Sequence, residues 1–370
     1  MHAALLLSGG VDSSVALVRL QESGARVTAF YLKVWLEEEL AGLGDCPWQE
    51  DLEYARAVCE QRRVPLHVVS VQQEYLERVL DYVVRELRAG NTPSPDLMCN
   101  RHIKFGVFTE RFADGFDTVA TGHYARVVDT GAGPRLRTAP DPVKDQTYFL
   151  AYVSAGQLAR AAFPIGDSPK AGIRAEAAAH GLPTRARPDS QGICFLGRIS
   201  YRDFVRRRLG ERPGPIVERE SGRLLGEHRG HHFFTVGQRQ GLGLGDGPWY
   251  VVDKDPSGNR VTVSRAPAAH ADGAFGLTGA NWIGGDAPAG PARVKVRHGP
   301  ASHACTVTPT AVPDRVVVRA DSPLTVASGQ FAVLYDGEEC RGGGVIEPLD
   351  VIEPLDVIEP LAADPAYGGS

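Results

Sequence analysis

From its first residues the chain alternates short apolar runs with amphipathic stretches, the rhythm of a parallel sheet covered by helices. Ala3 to Leu7 is wholly apolar and predicts a buried strand. Gly9-Gly10 permits a tight turn, and Val15, Leu17, Val18 and Leu20 mark the buried stripe of a helix that Asp12 or Ser13 can cap. Val27 to Tyr31 and Leu66 to Val69 read as further strands, Asp51 to Gln61 as a helix, and Gln72 to Arg88 as a long amphipathic helix stopped by Gly90. Asn91 to Asp96 carries two prolines and reads as a stiff, non-helical loop. Cys99-Asn100 would then lie near the N-terminus of a helix over Ile103 to Phe112, where a thiolate is stabilised. A strand at Asp117 to Thr121, a hairpin around Gly131-Ala132-Gly133, a helix opened by Lys144 and another from Ser168 to His180 complete this part.

Beyond about residue 197 the pattern shifts. Arg198, Arg202, Arg206, Arg207, Arg208 and Arg212 crowd a short segment against only Asp203 and Glu211, and glycine turns then separate short β-branched runs. From Leu277 onward, strands at Arg293 to Val296, Thr306 to Thr308, Val316 to Arg319 and Phe331 to Tyr335 suggest a compact β-barrel. The fold class expected is α/β, with a catalytic domain over 1–197, a small central domain over 198–276, a C-terminal β-barrel over 277–347 and a tail over 348–370. The tail repeats Val-Ile-Glu-Pro-Leu-Asp from Val345 and reads as an extended, largely disordered extension. The acidic, glycine-bearing stretch Leu36 to Pro47 reads as a flexible surface loop.

Composition narrows the class. With 370 residues, 43% of them hydrophobic, the chain has enough apolar surface for two or three domains. A formal charge of -5 argues against a generally cationic nucleic-acid coat and leaves room for a local basic face such as the arginine cluster. Six cysteines without a CxxC pair suit a reducing, cytoplasmic setting. The sequence contains neither a bilayer-length apolar run nor a signal-peptide pattern, so no membrane is expected as a partner.

The chemistry starts at Ser8-Gly9-Gly10-Val11-Asp12-Ser13. A strand, a glycine turn and a helix start present unpaired backbone N–H groups and the positive end of a helix dipole, which together suit phosphate oxygens. The lysine of a Walker loop is missing. The segment resembles the SGGxDS pyrophosphate loop of the N-type ATP pyrophosphatases, which cleave ATP between its α and β phosphates to adenylate a substrate oxygen. Ligands of parallel sheets sit beyond the strand C-termini, so the ends after Leu7, Leu32 and Thr121 should converge on one crevice.

Four more segments stand in order behind that loop: Pro95-Asp96-Leu97-Met98-Cys99-Asn100, Thr121-Gly122-His123-Tyr124, Lys144-Asp145-Gln146-Thr147-Tyr148 and Ser190-Gln191-Gly192-Ile193-Cys194-Phe195. With Gly329-Gln330 and Gly342-Gly343-Gly344, they make the chain resemble the tRNA-specific 2-thiouridylase family from about residue 3 to 347. The resemblance implies ATP and Mg²⁺ as cofactors, adenylation of O2 of a wobble uridine, and delivery of sulfur to C2 from a cysteine persulfide. It also implies tRNA as partner, through the anticodon stem-loop of Lys, Glu and Gln tRNAs, and a protein that donates persulfide sulfur.

Carried over by position, Cys194 is the persulfide carrier and Cys99 the second catalytic thiol, which attacks to leave a Cys99 to Cys194 disulfide. Asp96 contacts the base and acts in proton transfer. Leu6, Leu7, Ser8, Gly9, Gly10, Val11, Asp12, Ser13, Leu32 and Gly122 correspond to the ATP site. Ser94, Pro95 and Asp96 correspond to contacts of the target base, and His123, Lys144, Asp145, Gln146, Arg297, His298 and Gln330 to positions that touch tRNA. Two departures from the family pattern are Ser94 in place of Asn and Leu7 in place of Met. Three alternatives remain at this stage. One is another adenylating enzyme of the superfamily, and one is the same thiolation run through an iron–sulfur cluster held by Asp96, Cys99 and Cys194. The third is a non-catalytic RNA-binding protein.

Overall fold

The structure is a computed structural model that describes residues 1–34, 48–189, 200–267 and 273–349. Strands β1 (His2–Leu6), β2 (Arg26–Lys33), β3 (Leu66–Ser70) and β4 (Thr118–Ala120) form most of a parallel sheet. The hairpin β5 (Ala125–Asp129) and β6 (Pro134–Thr138) leaves the sheet, and β7 (Ala161–Ala162) returns beside β4. The strand order β3-β2-β1-β4-β7 places the topological switch point between β1 and β4.

Because side chains alternate along β1, Ala4 and Leu6 face one layer while Ala3 and Leu5, with Leu7 just beyond, face the other. Against the second face pack α1 (Val11–Glu22), α2 (Trp48–Arg62) and, further along, a helix over Lys170–Ala179. Against the first lie two long helices that each contain a π-helical segment. The helix α3 (residues 72–88) has one over Leu76–Leu80, and α4 (residues 95–112) has one over Cys99–Val107. The short helices α5 (Thr147–Leu150) and α6 (Ala155–Leu158) follow, so that the helix over Lys170–Ala179 is α7.

Three local expectations are corrected. Pro95 and Asp96 are helical: Pro95 opens α4, at a position where its missing N–H has no intrahelical partner to lose. Cys99 therefore lies a full turn inside α4. Neither Asp12 nor Ser13 caps α1; Gly10 does so without a side-chain bond, which leaves both side chains for other work. The first copy of the tail repeat begins inside the barrel, with Val345, Ile346 and Glu347 ending its last strand and Ile346 buried. Residues 350–370 and the Leu36 to Pro47 stretch lie outside the described residues.

The helix α8 (Tyr201–Leu209) inserts Phe204 and Val205 into the same core as α3 and α4. A four-stranded sheet follows, β8 (Gly214–Glu218), β9 (Leu224–His228), β10 (Tyr250–Asp255) and β11 (Arg260–Ser264), around Ile216, Trp249 and Val261. The last six strands are β12 (Ala274–Trp282), β13 (Gly290–Lys295), β14 (His303–Pro309), β15 (Val316–Ala320), β16 (Phe331–Asp336) and β17 (Glu339–Glu347). Pairing of β12 with β17 closes them into a barrel. The hairpin β5–β6 adds to the edge of β17, through Glu339 opposite Arg137 and Cys340 opposite Leu136, so the barrel and the parallel-sheet domain share a continuous sheet.

That joint is reinforced by a buried ion pair. Asp145 is only 3% exposed, and its carboxylate accepts from Lys295 Nζ of β13 at 3.1 Å, from Thr147 Oγ1 at 2.9 Å and from Ala139 N at 3.2 Å. Its side chain is thus a staple between domains and is not available to RNA, contrary to its expected place among the tRNA contacts. Replacing Asp145 by alanine leaves Lys295 buried and uncompensated. Such a loss is expected to cost about 3–5 kcal/mol, read as a lower denaturant midpoint. A double variant with Lys295→Met should recover most of it, and an unchanged midpoint in the single variant would contradict the staple.

Candidate active site

The turn after β1 crosses the C-terminal edge of the sheet at the switch point. Gly9 has φ +75°, and a Cβ there would lie 2.1 Å from the carbonyl oxygen of Asp51. Only glycine fits. Inside the turn Ser13 Oγ donates to Gly10 O at 3.2 Å and accepts from Ser8 N at 3.2 Å, with Ser8 Oγ also 3.2 Å away. The hydroxyls therefore hold the loop open around the start of α1, where N–H groups meet an anion. Across the switch point, Gly122 follows β4 so closely that a Cβ on it would be 2.7 Å from Ser13 N. The expected juxtaposition of Ser8 to Ser13 with Gly122 is therefore present, with Leu6 and Leu7 buried beneath the turn and Leu32 half-buried at the end of β2.

Asp12 projects from the first turn of α1 into a chain of alternating charges. Tyr124 OH donates to its Oδ1 at 2.7 Å, and Lys170 Nζ of α7 reaches its two oxygens at 2.7 and 2.9 Å. Lys170 also contacts Asp189 at 2.9 Å, and Asp189 in turn holds Lys144 at 2.7 Å and Arg174. Burial would raise the Asp189 carboxyl, yet the bonds from Lys144 and Lys170 outweigh it and hold that carboxyl far below the usual range. Tyr124 is driven the other way, first by burial and then by the charge of Asp12, so its phenol stays protonated as a donor. Arg187 ties the same segment to the turn, donating to Gly9 O and to Asp51 Oδ1, each at 2.7 Å.

Lys170, Tyr124, Asp189 and Arg187 were not among the expected site residues. One signal was available for Lys170: a lysine in the first turn of a helix opposes the helix dipole and requires a carboxylate to offset it. For the others, only the packing of α7 against α1 brings them to the turn.

On the other side of the crevice, α4 carries Asp96 and Cys99. Asp96 is half-buried in the first turn, and Cys99 is 3% exposed, packed with Leu97, Met98 and Ile103 in the core beneath Leu6. Chemistry at this sulfur requires its surroundings to move. The π-helical segment that begins at Cys99 is braced against residues 149–157 by hydrogen bonds in both directions. Asn100 Nδ2 donates to Phe149 O at 2.9 Å, Arg101 to Tyr152 O at 3.0 Å, and Gln157 Nε2 donates to Arg101 O and Phe105 O. Phe105 and Phe163 flank the His123 ring, with centroids 6.5 and 5.8 Å away, and His123 Nδ1 lies 2.6 Å from Thr121 Oγ1. Burial, with Lys104 adding to it, pushes the His123 imidazole well below its ordinary value. The ring is a neutral hydrogen-bonding group rather than a cation.

The loop before α4 is gripped from two other domains. Thr92 N donates to Ser328 O at 3.0 Å, Gly329 packs against Asn91, and Thr92 Oγ1 reaches Thr235 of the central domain at 3.4 Å. Gln330 follows directly, and Ser94 N is held by Tyr82 OH at 3.2 Å. His298 stacks on Phe149 at 4.4 Å with Arg297 exposed beside it, while Gln146 is occupied by Tyr124 N. Lys144 and Arg206 are both engaged by acids, Arg206 by Asp203 and Glu211. Cys194, with the rest of Ser190 to Phe195 and Arg198, lies outside the described residues; the chain enters that segment at Asp189. Among the described residues no helix is long and apolar enough to cross a membrane.

Three family models match the chain in order. One described as a tRNA methyl transferase HUP domain covers residues 1–198, a tRNA methyl transferase PRC-barrel domain covers 202–265, and an aminomethyltransferase beta-barrel domain covers 273–346. Curated relatives are similar over almost their whole length. A protein of Parabacteroides distasonis named tRNA-specific 2-thiouridylase MnmA is 42% identical, the match covering 94% of this chain and 99% of that one. One of the same name from Porphyromonas gingivalis is 42% identical over the same shares. A Bacteroides fragilis protein named tRNA-specific 2-thiouridylase MnmA 2 is 41% identical, over 94% of this chain and all of the relative.

Proposed function

The chain belongs to the tRNA-specific 2-thiouridylase family, and from that premise we propose how its residues carry out ATP-dependent thiolation of a tRNA uridine. The enzyme is a tRNA sulfurtransferase whose HUP domain binds ATP. The observation that carries the mechanism is the meeting of two elements at the switch point: the Ser8 to Ser13 turn, and the Gly122-His123 turn against which the cysteine-bearing α4 is packed.

In the first step the turn and the N-terminus of α1 hold the β and γ phosphates while the uridine O2 attacks the α phosphorus. The O2–Pα bond forms, the bond from Pα to the bridging oxygen breaks, and pyrophosphate departs into N–H groups that already face it. Asp96 takes the N3 proton. The oxygens of Asp12 suit the Mg²⁺ that accompanies the triphosphate, and that ion would supply neutralisation of the phosphate charge. Lys170 and Tyr124 hold the carboxylate in place, so it need not be organised during the reaction.

Adenylation turns a poor leaving oxygen into AMP. The terminal sulfur of a Cys194 persulfide, loaded by a donor protein, then attacks C2 and AMP leaves. The Cys99 thiolate attacks Cys194 Sγ, the sulfur–sulfur bond to the base breaks, and 2-thiouridine is released beside a Cys99 to Cys194 disulfide that an external thiol reduces. Ser94, Pro95 and Asp96 would contact the base. His123, Lys144, Gln146, Arg297, His298 and Gln330 would contact the RNA, in the anticodon stem-loop of Lys, Glu and Gln tRNAs. Asp96 and Cys99 are the two described members of the alternative iron–sulfur ligand set, and no step here passes through iron.

The test is mass spectrometry of nucleosides from unmodified tRNA incubated with the protein, ATP and a persulfide donor. One 2-thiouridine at the wobble position per AMP and pyrophosphate formed is expected. Pyrophosphate without thiouridine would point to another adenylating enzyme, and neither product would point to a binding protein.

A further inference from the structure

We propose that Lys104 is a further catalytic residue of adenylation, its ammonium meeting the α-phosphoryl oxygens of ATP as negative charge builds on them. The inference rests on the adenylating reading above and goes beyond it, since Lys104 corresponds to none of the site residues expected from the family.

The chain contains six lysines, and five have a partner. Lys33 lies over the Trp48 ring at 4.5 Å, Lys144 and Lys170 are paired with Asp189 and Asp12, Lys254 donates to Phe234 O at 2.9 Å, and Lys295 is paired with Asp145. Lys104 alone makes neither an ion pair nor a hydrogen bond among the described residues, although it is half-buried. A half-buried charge without a counter-ion is a feature that a fold retains where an anion arrives from outside.

Its position says which anion. Lys104 stands five residues after Cys99 within the π-helical segment, a spacing that matches the i to i+5 repeat of such a helix and brings both residues to one face. The braces from Asn100, Arg101 and Gln157 hold that widened turn. On the facing element Lys104 is near enough to His123 to depress its basicity, and His123 follows Gly122, which touches Ser13 of the pyrophosphate turn. Lys104 therefore stands on the helix that carries the thiol and the proposed base-contacting carboxylate, one residue before the Phe105 whose ring packs on His123 beside the proposed pyrophosphate turn. The phosphorus that bonds to the uridine must pass between that turn and this helix. As O2 attacks and the Pα to bridging-oxygen bond breaks, the ammonium offsets charge on the non-bridging oxygens.

The test compares full-length Lys104→Met and Lys104→Arg with wild type. Single-turnover pyrophosphate release is measured at saturating ATP and unmodified tRNA, tRNA affinity without ATP, and thermal midpoint. For the Met variant, release slower by about 10²–10³-fold is expected, with tRNA affinity within about threefold and the midpoint unchanged. Arginine should restore a good part of the rate, which a merely structural role would not give. Release within about threefold of wild type at saturating tRNA overturns the proposal. So does a loss confined to tRNA affinity, which would assign the charge to a phosphodiester of the RNA. Lys104→Gln is read in the same way if the Met variant fails to fold. A wild-type protein that releases no pyrophosphate would instead overturn the adenylating reading, and this inference with it.

Discussion

Replacing Cys99 by serine should abolish 2-thiouridine formation by at least about 10³-fold while pyrophosphate release stays within a few-fold of wild type, a split of about 4 kcal/mol between the two half-reactions. In the proposed mechanism adenylation rests on the turn at Ser8 to Ser13 and on Asp12, whereas Cys99 packs in a separate core beneath the sheet. Serine has nearly the shape of cysteine, so the tightly packed site beside Leu97 and Ile103 can accept it. A hydroxyl at ordinary pH is neither the nucleophile nor the redox partner that a thiolate is. The measurement is a paired time course of pyrophosphate and of thiouridine by nucleoside mass spectrometry. Equal losses in both would mean that Cys99 is structural. Cys194→Ser should behave in the same way, because in the proposed mechanism both thiols act after adenylation, and full thiolation by that variant would remove Cys194 as carrier.

For Asp12→Ala the expected loss falls on the earlier step: pyrophosphate release slower by about 10³-fold, with no thiouridine detected. The substitution removes the carboxylate at the first turn of α1, the proposed seat of the metal that travels with ATP. It also strands two groups that the carboxylate now organises, the Tyr124 hydroxyl and the Lys170 ammonium. Lys170 retains Asp189, and Asp12 is itself about one-third exposed, so stability should fall by only about 1 kcal/mol. A large kinetic effect with a small stability effect is therefore the signature. If release stayed within about tenfold of wild type, Asp12 would be a structural partner of Lys170 and the metal assignment would fall.

How far these residues could be read in advance depended on whether their roles are local. The Ser8 to Ser13 turn was legible because strand, glycine turn and helix start are consecutive, and each has its own signature. The hairpin around Gly131-Ala132-Gly133 was legible in the same way, yet nothing local said that it would extend the barrel by pairing with β17. Pro95 was misjudged as a helix breaker because the rule against proline applies inside a helix and is void at its first residue. Asp145 was carried over as an RNA contact, and only its burial against Lys295 revealed it as a staple.

By itself the sequence determined the order of elements, the strand, glycine turn and helix around Ser8 to Ser13, and the family, because these follow from the spacing of apolar, glycine and polar positions along a continuous stretch of chain. Tertiary structure alone decided which charges meet. Lys170 finds Asp12, Lys144 finds Asp189, and Lys104 is left without a partner among the described residues, because Coulomb energy and desolvation depend on distance and burial in space, and sequence separation fixes neither.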